Sequence, residues 1–108
     1  MGVREKVLTP KVEKIVIEGE EVEIRTLNAA ARAALEDGLK TDKDGKADTL
    51  DLVARVVVFA TYNLDGTAVF KLDDVELLKT QANGNDVADI FSVASRLNGL
   101  DRAAQAKN

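Results

Sequence analysis

The chain has 108 residues, enough for one domain with a modest core, and its 45% hydrophobic and 31% charged content marks a globular protein, not a disordered one. A net charge of −4, only four aromatics and no basic stripe argue against nucleic-acid binding, which needs cations to displace phosphate counterions. Without cysteine or histidine there are no disulfides, thiol nucleophiles, Cys-His zinc sites or Ser-His-Asp triads, and nothing gathers the carboxylates into one pocket.

No enzyme, metal or cofactor is therefore expected. No apolar run approaches the roughly 18 residues of a membrane span and no signal-peptide h-region is visible, so neither membrane insertion nor export is expected. The lack of cysteine suits a reducing compartment.

Residues 1–10 show little pattern and Pro10 disfavours helix at Thr9, so this stretch is expected to be a flexible arm. Lys11 to Leu27 alternates as a β-hairpin: Ile15 and Ile17 on one arm, Val22 and Ile24 on the other. Gly19-Glu20 suits a two-residue turn, which sets Ile17 opposite Val22 and Ile15 opposite Ile24. It also sets Glu18 opposite Glu21, an unfavourable pair that a wider loop over Glu18 to Glu21 would ease. A lone hairpin is marginal, so its apolar face must lie on helices. Its outer strand is either a cover for the core or an edge for pairing with another chain.

Asn28 to Leu39 reads as the first long helix, with Asn28 as N-cap and Leu27, Ala31, Ala34 and Leu35 as its apolar stripe. Lys40 to Ala47 is a charged loop. It fails as a calcium loop: with Gly45 at the sixth position, Lys40 would stand first and Asp51, inside the next helix, twelfth.

Leu50 to Tyr62 is the most apolar stretch and the expected core helix. Leu50, Val53, Ala54, Val57, Val58 and Thr61 share one helical face, and Leu52, Val56 and Phe59 a second. Asp48 is a suitable N-cap, and Asp51 and Arg55 form an i,i+4 pair. The β-branched run Val56 to Val58 offers a buried strand as the competing reading; the length of the apolar run without a turn signal favours helix.

Asp65-Gly66 then marks a turn, and Thr67 to Phe70 is a candidate short third strand. Asp73 and Asp74 open a short helix carrying Val75, Leu77 and Leu78. Asn85 or Asp86 is expected to cap the last helix, whose stripe is Val87, Ile90, Phe91, Ala94 and Leu97, and Asn98-Gly99 ends it. The whole reads as an α+β protein: residues 11–100 form a single domain of an antiparallel hairpin on about four helices, and 101–108 form a tail.

Apolar residues off the main stripes are the candidate partner contacts: Val56 and Phe59 on the central helix, Val93 on the last and Leu100 beyond it. Each also has a plain core reading, because a small domain has few apolar residues to spare.

Two stretches carry a family resemblance. One is Val22-Glu23-Ile24-Arg25-Thr26-Leu27-Asn28-Ala29-Ala30-Ala31-Arg32. The other is Asp65-Gly66-Thr67-Ala68-Val69-Phe70, followed by Asp73-Asp74-Val75-Glu76-Leu77-Leu78. With the order of elements around them, over about Lys11 to Leu100, the chain resembles the tail assembly chaperones of long-tailed bacteriophages. It departs from them in having no aromatic at Gly19-Glu20 and Lys71-Leu72 where Thr or Ser often follows the Phe.

The resemblance implies a non-enzymatic protein of the host cytoplasm. Such a protein binds the helical tape measure protein and keeps it soluble, helps recruit tail tube subunits, self-associates along its client and is absent from the mature virion. It also implies a frameshifted longer product, and Ala106-Lys107-Asn108 can be encoded by a slippery A-AAA-AAC run. The alternatives are a structural head-tail connector or tail-completion protein, and a small acidic regulatory binding protein.

Overall fold

Alternation of apolar and polar residues builds the first firm unit, the hairpin of β1 (Val12–Ile17) and β2 (Glu20–Arg25). The computed structural model describes residues 2–38 and 49–100, so the charged loop 40–47, its rejected calcium pattern, the Asp48 cap and the tail 101–108 lie outside the described residues. Ahead of the hairpin, Val3–Leu8 forms a short helix, α1, in the stretch read as an arm without an element, and none of its residues is buried.

The hairpin register differs by two residues from that expected. Ile15 pairs with Val22, Ile17 with Glu20 and Glu13 with Ile24. The turn residues are Glu18 and Gly19, at φ 51° and 84°. Two successive positive φ angles belong to a type I′ turn, whose twist matches that of the flanking strands. A shift of two keeps every side chain on its face, so Ile15, Ile17 and Val22 still pack on the core and Ile24 is fully buried. The Glu18–Glu21 clash disappears, since Glu21 faces Val16 and Lys14 faces Glu23. Glu18 sits in the left-handed region that L residues other than Asn and Asp occupy at a cost. Glu18→Asn is therefore expected to raise stability by roughly 0.5–1 kcal/mol. The check is a higher urea midpoint at unchanged slope; a lower midpoint contradicts it.

After the hairpin come α2 (Ala29–Gly38), α3 (Thr49–Ala60), β3 (Thr61–Tyr62), a 3₁₀ turn (Leu72–Asp74), α4 (Val75–Thr80) and α5 (Gly84–Asn98). Asn28 caps α2 as its sequence indicates, its Oδ1 accepting from the Ala31 amide at 2.8 Å. Helix α3 packs against α2, α4 and α5, and α5 in turn lies on β1 and β2. The core is Ile24 of the sheet, Leu35 of α2, Ala54, Val56, Val57, Val58 and Ala60 of α3, Val75 and Leu78 of α4, and Ile90 and Ala94 of α5.

The central stretch is helical, but its last two residues are not. Ala60 ends α3, and Thr61 and Tyr62 pair antiparallel with Ile24 and Glu23 as a third strand, giving the order β1-β2-β3. The free edge of β2 takes a Thr-Tyr pair that is well suited to a strand. Thr61 keeps one helical bond, its hydroxyl donating to the Val57 carbonyl at 2.7 Å. The Arg25 guanidinium stacks over the Tyr62 ring at 4.6 Å. Thr67 to Phe70 is not a strand; only Ala68 bridges to Tyr62. The Asp-Gly turn is present, Gly66 at φ 93° and its amide donating to the Asn63 carbonyl at 2.9 Å.

At α5 the cap is Asn83, two or three residues ahead of the expected Asn85 or Asp86. Asn83 Oδ1 accepts from the Asn85 and Asp86 amides, and Asn85 and Asp86 are helical. The far end is as read, with Gly99 at φ 71° as the left-handed C-cap. Asn98 also ties this end to the sheet-to-α2 connection, its Oδ1 accepting from the Leu27 amide at 2.8 Å.

Candidate interaction site

Among the described residues, the candidate functional groups divide into one buried charge cluster and several apolar surfaces. Among the described residues no group of three or more carboxylates is placed to hold a metal ion, and no helix is long and apolar enough to cross a membrane.

The cluster is centred on Asp51, which is fully buried at the start of α3. Arg55 Nε lies 2.6 Å from one carboxylate oxygen and Lys79 Nζ 3.4 Å from the other. The i,i+4 pair read in the sequence is therefore present, but it is joined by a cation from α4 and pins that helix to α3. Burial alone pushes the Asp51 carboxyl up. The Arg55 and Lys79 hydrogen bonds and charges outweigh this and hold it below the ordinary carboxylate value. Asp65 is also lowered, by the Thr67 hydroxyl and amide at 2.6 and 2.9 Å, which shape the exposed turn. The Asp51 carboxylate is thus engaged by two cations and the Asp65 carboxylate by Thr67 of its own turn.

The four candidate contact residues do not form one patch. Val56 has no exposed surface and is core; it cannot reach a partner from the folded chain, because α3 is covered on that side as well. Phe59 is half-buried and lines a depression of about 290 Å³ with Leu8 of α1, Leu27 and Tyr62. Val93 and Leu100 are half-buried and pack on the core cluster.

A different apolar surface lies around α4. Val75 and Leu78 turn into the core, while Leu77 remains 49% exposed. Leu77 forms one wall of a cleft of about 320 Å³ with Phe70, Asp74, Leu78, Gln81 and Ala82. Leu78 and Ala82 also line a second cleft of about 320 Å³ on the α5 side, with Val87 and Phe91. The sequence places Leu77 on this short helix with Val75 and Leu78 and does not single it out as a contact residue. The available signal was the helix length: a six-residue helix buries one face, and Val75 and Leu78 at i,i+3 already fill it.

No protein-family model matches the chain, and no curated protein matches it by sequence. Among solved structures, the chain is similar to the tail assembly chaperone of bacteriophage HK97, with a TM-score of 0.66 at 16% identity, over 88% of this chain and 95% of that one. The likeness is one of fold, an α+β arrangement shared over nearly the whole of both chains.

Proposed function

We propose that this chain, folded as the HK97 protein is, serves as a tail assembly chaperone that acts by reversible binding and not by catalysis. The observation that carries the reading is the shared fold over 88% of one chain and 95% of the other, without a large unmatched region in either. In this reading the client is the tape measure protein of the same phage. A long helical client exposes apolar stripes that aggregate when bare. A small acidic protein with unburied apolar surface can cover such stripes by helix-in-groove packing. Many weak contacts along one client add up by avidity, and each still releases readily when the tail tube arrives. The chaperone works in the host cytoplasm, helps bring tube subunits to the client, and is left out of the finished particle.

The test is to produce the tape measure protein encoded in the same genome with and without this chain. The expected result is a shift of the client from pellet to supernatant, with several copies of the chain sedimenting per client. An unchanged pellet would overturn the reading. So would recovery of the chain at fixed copy number in purified virions, which is the behaviour of a connector.

A further inference from the structure

We propose that the cleft beside α4 is the seat for an amphipathic helix whose apolar stripe is bordered by lysine or arginine. That this helix belongs to the tape measure protein rests on the chaperone reading; the chemistry of the seat does not.

Two observations coincide at this place. The first is apolar surface in a concave setting. Phe70, Leu77, Leu78 and Ala82 line the cleft, and Leu77 is half exposed although the helix bearing it is packed on α3. The second is charge. Residues 73–89 contain five acidic side chains and one basic one, whereas the rest of the chain holds fourteen of each. The whole net charge of −4 thus lies in a stretch that supplies most of the lining of the two clefts. The one cation there, Lys79, is only 14% exposed and is shared between buried Asp51 at 3.4 Å and Glu76 at 3.7 Å. Asp73, Glu76 and Asp89 are exposed, and Asp74 lines the cleft itself. Around the cleft, Asp73, Asp74 and Glu76 outnumber the exposed Lys71 and the half-neutralising Lys79, so the net field at the rim is negative and favours a cationic partner over an anionic one.

The occupant follows from these features. Nucleic acid and anionic small molecules are repelled by the rim. A second copy joined by a two-fold contact would set the acidic rim against itself, since such contacts use the same patch on both subunits. An extended peptide would need a sheet edge to satisfy its backbone, and this cleft lies beside a helix. A helix satisfies its own backbone and offers leucine-like side chains every third or fourth residue, with cations flanking them.

The test uses two labelled peptides of about 15 residues, long enough to fold on binding. Both carry leucine at i, i+3, i+4 and i+7; one has lysine elsewhere and the other glutamate. Fluorescence anisotropy with the full chain is expected to show the Leu/Lys peptide bound at least about tenfold tighter than the Leu/Glu peptide. Leu77→Asp is expected to weaken the Leu/Lys peptide by about tenfold or more while circular dichroism stays that of the parent. This variant adds negative charge, so mere attraction between opposite charges would strengthen binding.

Gln81→Arg, at an exposed residue of the same cleft, serves as the second variant and is expected to weaken Leu/Lys and improve Leu/Glu binding. Equal affinity of the two peptides, no binding of either, or binding unaffected by both variants would overturn the proposal. Dissociation of a self-associated species by Leu77→Asp, seen by sedimentation, would overturn it in favour of a second copy. The peptides contain no phage sequence, so their failure leaves the solubility test of the chaperone reading standing. A failed solubility test with bound peptide leaves the cleft standing with another client.

Discussion

Val56→Asp is expected to leave the chain without a stable fold at 25 °C. The side chain is 0% exposed and sits on α3, the helix against which α2, α4 and α5 all pack. A carboxyl placed there gains no partner of opposite charge from the apolar residues that form the cluster. It must either stay ionised in a poor solvent or take up a proton, and both routes cost several kcal/mol. Losing the packed valine methyls adds about 1 kcal/mol or more. A domain of this size has roughly 5–15 kcal/mol of stability in all, so most of the margin is gone. Far-UV circular dichroism and urea titration provide the check. A variant with parental helical signal and midpoint would return Val56 to the surface and to partner binding. Leu77→Asp is the contrasting case: the same change on a half-exposed residue is expected to spare the fold.

Asp51→Asn is expected to cost about 2 kcal/mol at pH 7, lowering Tm by roughly 8 °C. Breaking a buried ion pair by removing one member costs more than the pair contributed, because the other charges stay behind in a dry place. Arg55 and Lys79 have only 15% and 14% of their side chains exposed. The figure is set below the roughly 3–5 kcal/mol of a fully enclosed pair because both cations keep some solvent contact and asparagine can still accept a hydrogen bond from Arg55.

The effect depends on pH in a definite direction. Folding lowers the Asp51 carboxyl below its ordinary value of 3.8. A carboxyl lowered on folding contributes stability that is present above its unfolded pKa and is lost as pH falls through the folded one. The difference between parent and Asp51→Asn should therefore be flat from about pH 5 to 8 and shrink below about pH 4. Urea midpoints of both proteins across that range measure it. A difference that grows as the pH drops would show that Asp51 is not held as the ionised partner of Arg55 and Lys79.

What the sequence determined by itself is local. Asn28 caps α2 because an Asx side chain before a run of alanines has few better uses. Gly99 ends α5 and Gly66 turns the chain because glycine adopts positive φ without cost. The stripe from Val87 to Leu97 fixed which face of α5 turns inward, and Ile90 and Ala94 are buried on it. The alternation of the hairpin fixed its inner face, which survived a two-residue error in register because the side-chain period is two.

Only the tertiary structure decided the rest. Periodicity states which residues share a face, not which faces find a cover. On α3, an apolar stripe residue, Leu50, is 51% exposed, while charged Asp51 beside it is fully buried. Val56, off the stripe, is core because α3 is surrounded and not merely docked. Thr61 left the helix for a strand because β2 had an edge open to it, a fact that lies nearly forty residues away in the chain. Leu77 stayed outside because α4 is too short to turn three apolar side chains inward. Each of these outcomes depends on a neighbour from a distant segment, and burial is a property of the pair of surfaces, not of either sequence stretch alone.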